Sequence, residues 1–183
     1  LVPPLVHGKK WEDGKCADMT KDIAYWAFEP DAAWHAFKGY GEGQYFIDPC
    51  KLQLVTPGID IRTGEYEREG IPANVLANYL RENGVIPEKT DLNAILFLLT
   101  PGESMTKLSD LVDKLVEFER LYDEDALMKD MLPSIYAANE EKYKGYNIKR
   151  LCAEMHNFYK DRKVNILQRR LFAKDYLPEY VMD

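Results

Sequence analysis

Residues 71–84 read Ile71-Pro72-Ala73-Asn74-Val75-Leu76-Ala77-Asn78-Tyr79-Leu80-Arg81-Glu82-Asn83-Gly84, and further on the chain reads Ala94-Ile95-Leu96-Phe97-Leu98-Leu99. In the first stretch Ile71, Val75, Leu76, Tyr79 and Leu80 recur at helical spacing and make one apolar stripe. Pro72 suits the first helical position, where its missing N–H is no loss, and Gly84 suits the C-terminal cap. The spacing predicts a helix over 72–83. The second stretch is a continuous apolar run bounded by Asn93 and by Thr100-Pro101-Gly102, which reads as a buried strand. Between the two, Val85-Ile86-Pro87-Glu88 reads as a short strand.

Working outward from this centre, Leu52, Leu54 and Thr56 alternate with Lys51, Gln53 and Val55, as a strand requires. Pro49 splits this run from Tyr45-Phe46-Ile47, and Pro57-Gly58 stops it. Gly39, Gly41 and Gly43 mark a turn region. This G-x-G-x-G is not a dinucleotide fingerprint, since no strand precedes it and no helix follows. The first forty residues hold Trp11, Trp26 and Trp34 among Gly, Pro and charge, and read as an extended arm anchored by its aromatics. Toward the C-terminus, Ser104 suits the N-cap of a helix carrying Leu108, Leu111, Val112, Leu115, Val116 and Tyr122. A last helical stretch starts near Asn147, with Ile148, Leu151, Cys152, Met155 and Tyr159 on its inner face. The fold class is therefore α+β: a small, mainly antiparallel sheet covered by helices on one side. The division expected is a lead-in arm over 1–40, an α+β small domain over 41–130 and the helical start of a C-terminal domain over 131–183.

Composition bounds the function. A chain of 183 residues, 46% of them hydrophobic, can build one core, and its 22 aromatic residues argue against disorder throughout. No window approaches the roughly 18 uncharged apolar residues of a membrane span. The N-terminal Leu1-Val2-Pro3-Pro4 is not a signal peptide and lacks an initiator Met, so a processed or excised piece is expected. The net charge of -7 argues against non-specific nucleic-acid binding. Charge is uneven, however: residues 101–130 hold nine acids and four bases, and residues 141–174 hold ten bases and three acids. The basic stretch carries core-type apolar residues and no recognition motif, which favours a solvated face or a surface meeting an acidic neighbour. Cys16, Cys50 and Cys152 have no paired spacing, as expected in a reducing cytoplasm. His7, His35 and His156 are scattered and form no metal-ligand cluster, and no Ser nucleophile or phosphate-loop motif occurs.

The residues alone leave the chemistry open. Glu88-Lys89 follows Pro87 just before the apolar run, where charged side chains either project into a cleft or make an ion pair at a strand end. Trp34-His35 reads as an aromatic anchor with a hydrogen-bonded His, and Cys152 as a core residue.

A set of phrases adds to this. They are Trp34-His35-Ala36-Phe37, Asp48-Pro49-Cys50-Lys51-Leu52, Leu54-Val55-Thr56-Pro57-Gly58 and Gly70-Ile71-Pro72-Ala73. Asn83-Gly84-Val85-Ile86-Pro87-Glu88-Lys89, Leu96-Phe97-Leu98 and Met131-Leu132-Pro133-Ser134-Ile135-Tyr136 follow in the same order. Together they resemble the bacterial ornithine/lysine/arginine decarboxylases, which use pyridoxal phosphate, over about 26–177. Asp91 to Pro101, and Tyr146-Asn147-Ile148 with Leu151 to Tyr159, resemble the ornithine branch. The resemblance implies an aminotransferase-type small domain, a cytoplasmic oligomer, and the conversion of ornithine to putrescine and carbon dioxide in polyamine biosynthesis or acid resistance. It places Glu88 on the distal ammonium of the substrate. The family's Schiff-base lysine lies in a Ser-x-His-Lys phrase, whereas His7, His35 and His156 are followed here by Gly8, Ala36 and Asn157. The resemblance therefore implies a carboxy-terminal fragment, from the small-domain region only, that does not bind the cofactor alone, contributes no catalytic residue, and meets the rest of a decarboxylase chain and further subunits. The alternative is a non-catalytic interaction module that pairs with decarboxylase subunits.

Overall fold

The computed structural model of the chain describes residues 2–35, 37 and 39–171, so Ala36 of the Trp34 phrase and the end of the helical part, Lys174 included, lie outside the described residues. Near the N-terminus β1 (Leu5–Val6) and β2 (Lys9–Lys10) pair as a hairpin whose turn puts His7 and Gly8 in the left-handed region. A single turn, α1 (Cys16–Met19), and a 3-10 turn at Ile23–Tyr25 fold back on it. Val6, Met19 and Tyr25 become a small core of their own. The indole N–H of Trp11 donates to the Tyr25 carbonyl at 3.0 Å, and that of Trp26 to the Met19 carbonyl at 2.7 Å. The segment is thus not simply extended: two of its tryptophans anchor it to itself, because each indole N–H finds a local carbonyl.

Next come β3 (Lys51–Val55), a small hairpin of β4 (Ile59–Asp60) and β5 (Glu65–Tyr66), α2 (Ala73–Glu82), β6 (Lys89–Thr90) and β7 (Ala94–Leu98). The main sheet has the order β3-β7-β6, antiparallel throughout. Leu52 stands opposite Phe97 and Leu54 opposite Ile95. The side chains of Ile95 and Phe97 are buried on the helix side, whereas Leu98 is exposed. The apolar run is therefore buried on one face only, a correction to the fully buried strand expected. Pro72 occupies the N-cap position of α2, one residue before its expected place, and Gly84 follows the helix with φ 83°. Val85 to Glu88 does not form a strand: pairing begins with the N–H of Glu88 on the Leu96 carbonyl at 2.9 Å, and β6 starts at Lys89. Pro87 has no N–H to give a ladder, and Ile86 is exposed.

The C-terminal half is helical: α3 (Met105–Asp123), α4 (Met128–Met131), α5 (Pro133–Ala138), α6 (Glu140–Tyr143), α7 (Ile148–Asp161) and α8 (Val164–Leu171). Ser104 and Asn147 cap α3 and α7, their side-chain oxygens accepting from the N–H groups of Lys107 and Arg150. The core runs from Val75, Tyr79 and Leu80 of α2 through Ile95 and Phe97 to Phe118, Met128, Ile148 and Cys152. Tyr79 packs edge-on against Phe118 at 5.3 Å, and burial beside the Glu117 carboxylate pushes its hydroxyl up to about 12. Val112 and Val116, expected on the inner face of α3, are exposed.

One buried residue was not read from the sequence. His156 of α7 is 1% exposed, and its Nε2–H donates to the Glu67 carbonyl at 3.0 Å. Its ring fills the space left by two glycines. A Cβ on Gly70 would lie 2.5 Å from His156 Nδ1, and one on Gly58 would lie 2.5 Å from the Gly70 Cα. This close approach ties the base of the β4–β5 hairpin to α7. Beyond it, α8 reaches the hairpin tip, where the Asn165 amide donates to the Gly64 carbonyl.

Candidate functional site

Glu88 sits where the turn after α2 meets the sheet. Buried Pro87 fixes its approach, and its own N–H is held by Leu96 of the central strand. The side chain is exposed, and neither Glu88 nor Lys89 makes an ion pair with a described residue. The strand-end ion pair weighed from the sequence is therefore not formed among these residues. The geometry is that of a free carboxylate on a backbone pinned by a ladder hydrogen bond, at the outer edge of the sheet. Such a group accepts a charge-assisted hydrogen bond from an ammonium ion.

The sheet face away from α2 carries Gln53 and Val55 of β3 with Ala94 and Leu96 of β7, and two adjoining hollows of about 510 and 630 Å³ lie over it. His35 stands beside the first. It stacks on Phe28 with ring centres 4.2 Å apart, and its Nε2 lies 2.8 Å from the Glu29 carbonyl. Phe28, Trp34, His35, Phe37 and Tyr40 thus form one aromatic cluster with a hydrogen-bonded His, the anchor expected from Trp34-His35.

Cys152 is fully buried on α7, and burial alone pushes its thiol up to about 12. It is a core residue, inert as a thiol because the thiolate is the reactive form. Alkylation at pH 8 is expected to modify exposed Cys16 in the native chain and to reach Cys152 only on unfolding, as mass spectrometry of the peptides would show; native modification of Cys152 would contradict this. The basic residues after Glu141 are spread over several partners. Lys149 donates to the Asp123 carbonyl, Lys160 to the Arg68 carbonyl, and Arg150 pairs with Glu154 while lying 3.9 Å over the Tyr146 ring. These three bases are thus engaged within the chain, whereas Lys144, Lys163, Arg169 and Arg170 are exposed. The described residues contain no cluster of metal ligands, and no helix among them is long and apolar enough to cross a membrane.

A pyridoxal-phosphate site needs a lysine that can reach the aldehyde carbon from within a closed cleft. Among the described residues no lysine is buried. Those beside hollows are exposed or half-exposed and already bonded, Lys51 to Asp48 and Lys149 and Lys160 to carbonyls. The described residues offer no lysine so placed.

A family model described as the major domain of Orn/Lys/Arg decarboxylases matches residues 1–107, ending in the first turn of α3. The inducible ornithine decarboxylase of Lactobacillus sp. (strain 30a) is 55% identical over 100% of this chain and 25% of its own length. The inducible ornithine decarboxylase of Escherichia coli (strain K12) is 53% identical, with the same coverage. The solved constitutive lysine decarboxylase of E. coli superposes with a TM-score of 0.81 at 33% identity, over 98% of this chain and 23% of that one. Ornithine decarboxylases share 48–55% identity with the chain, and lysine decarboxylases 35–36%. The chain belongs to the Orn/Lys/Arg decarboxylase family, and it spans about a quarter of the length of the curated relatives it matches.

Proposed function

We propose that residues 1–183 work as part of a pyridoxal-phosphate-dependent ornithine decarboxylase of the cytoplasm, which converts ornithine to putrescine and carbon dioxide. Within that enzyme the chain recognises the substrate's distal ammonium through Glu88 and makes contacts with the rest of the decarboxylase chain and with further subunits. The observation that carries this reading is the identity gap between ornithine and lysine decarboxylases over the same residues. Physical chemistry supports the role of Glu88. A carboxylate taken from water into a partly dry cleft is compensated by a charge-assisted hydrogen bond from an ammonium ion, and one left unpaired there penalises substrates that lack the far amine. The cofactor's Schiff-base lysine is supplied by residues other than these 183, so the chain alone is inactive.

This reading is tested by incubating the chain with pyridoxal phosphate, reducing with borohydride and mapping the labelled peptides. Weak, scattered labelling of exposed lysines is expected. One fully labelled lysine would overturn the reading that the chain lacks its own cofactor site.

A further inference from the structure

The two hollows on the open sheet face share Phe37 and Gln53, so they form one trough across β3 and β7. The β4–β5 hairpin and α8 wall one end through Ile59 and Gln168, and Tyr40 and Tyr45 wall the other. Four features of the trough point the same way. Phe37, Tyr45 and Phe46 are 60%, 56% and 51% exposed, a concentration of aromatic surface that a chain normally covers. Asn93 lines the first hollow at 7% exposure, and neither its side-chain oxygen nor its nitrogen has a partner among the described residues. Its amide therefore has both a donor and an acceptor without partners, and a peptide group offers one of each to match them. Strand β3 is an edge, with no described strand on its outer side. Finally, most of the charges around the trough are already held, Arg62 by Asp60, Asp91 by the Gln168 amide and Lys51 by Asp48, with exposed Arg169 at the rim the one that has no partner among the described residues.

We propose that the trough seats an extended, mainly apolar polypeptide segment from the part of the ornithine decarboxylase chain that has no counterpart in residues 1–183. The segment covers Phe37, Tyr45 and Phe46 and pairs a peptide group with the Asn93 amide after a turn of that side chain. The inference rests on the proposed function, and the relatives contain the chain to supply the segment, since the match takes up 25% of their length.

The test compares the 183-residue chain with a graft in which it replaces the matching quarter of the Lactobacillus ornithine decarboxylase. Hydroxyl-radical footprinting reads side-chain exposure in both. Oxidation of Phe37, Tyr45 and Phe46 is expected to slow by about fivefold or more in the graft, as burial of a half-exposed ring demands. Gln53→Arg, at an exposed position in the middle of the trough, is expected to lower the Tm of the graft by about 5 °C and that of the chain alone by less than about 2 °C. Unchanged oxidation, or equal effects of Gln53→Arg on both, would overturn the trough. Ornithine turnover by the unaltered graft judges the proposed function separately. Turnover with an open trough refutes only the docking, a covered trough without turnover refutes only the function, and the failure of both refutes both.

Discussion

Glu88→Gln in the graft is expected to lower kcat/KM for ornithine about ten- to a hundredfold. The substitution keeps the shape of the side chain and removes its charge, and a hydrogen bond to a charged group is worth about 1.5–3 kcal/mol. Part of the loss should fall on kcat, because a substrate held less firmly at its far end presents its reacting carbon less well. The effect should vanish for a 2-amino acid of the same length that lacks the far amine, since that substrate has no ammonium to lose. Steady-state kinetics with both substrates checks the claim. If ornithine turnover stays within about twofold, Glu88 is an ordinary surface carboxylate, and the chain contributes contacts rather than recognition.

The second large effect is on stability. Leu80 is 0% exposed on the inner stripe of α2. Leu80→Ala removes buried methyl groups from a helix packed on the sheet and leaves a cavity, at a cost of about 2–5 kcal/mol. For a chain of this size the Tm should fall by about 4–20 °C. Val116→Ala, on the exposed side of α3, should change stability by less than about 0.5 kcal/mol. Thermal unfolding followed by circular dichroism distinguishes the two, and a Leu80→Ala cost below about 1 kcal/mol would mean that α2 is not packed as described.

The features legible in the sequence were those whose cause is local. Ser104 caps α3 because a short polar side chain reaches an N–H three residues on, a pattern visible without a fold, and the start expected near Asn147 proves to be a cap of the same kind. The stripe of α2 was legible for the same reason. The reading failed where the cause is distant. Val85-Ile86-Pro87 has a strand's composition, but whether it pairs depends on Leu96, and Pro87 has no N–H to offer. His156 was passed over because the inner face of α7 was sought among apolar residues. The spacing of Ile148, Cys152 and His156 carried the signal, yet the glycines that make room for the ring lie at 58 and 70, far away in sequence. Trp11 and Trp26 were seen to be anchors, although the carbonyls that hold them, those of Tyr25 and Met19, become partners only once the hairpin and α1 fold back. Of the candidate site, Glu88 came from the resemblance and not from spacing. The trough went unread because one of its walls is completed by α8, whose Gln168 lies more than a hundred residues of chain beyond Tyr45 and Ile59.

The measurement that bears most directly on the central claim is substrate choice by the graft of this chain into the Lactobacillus ornithine decarboxylase. If residues 1–183 supply the ornithine-type share of the enzyme, the graft should decarboxylate ornithine within about tenfold of the unaltered relative and should prefer it to lysine by about tenfold or more in kcat/KM. A folded, pyridoxal-phosphate-loaded graft that turns over neither amino acid, or that accepts lysine as readily as ornithine, would contradict the account.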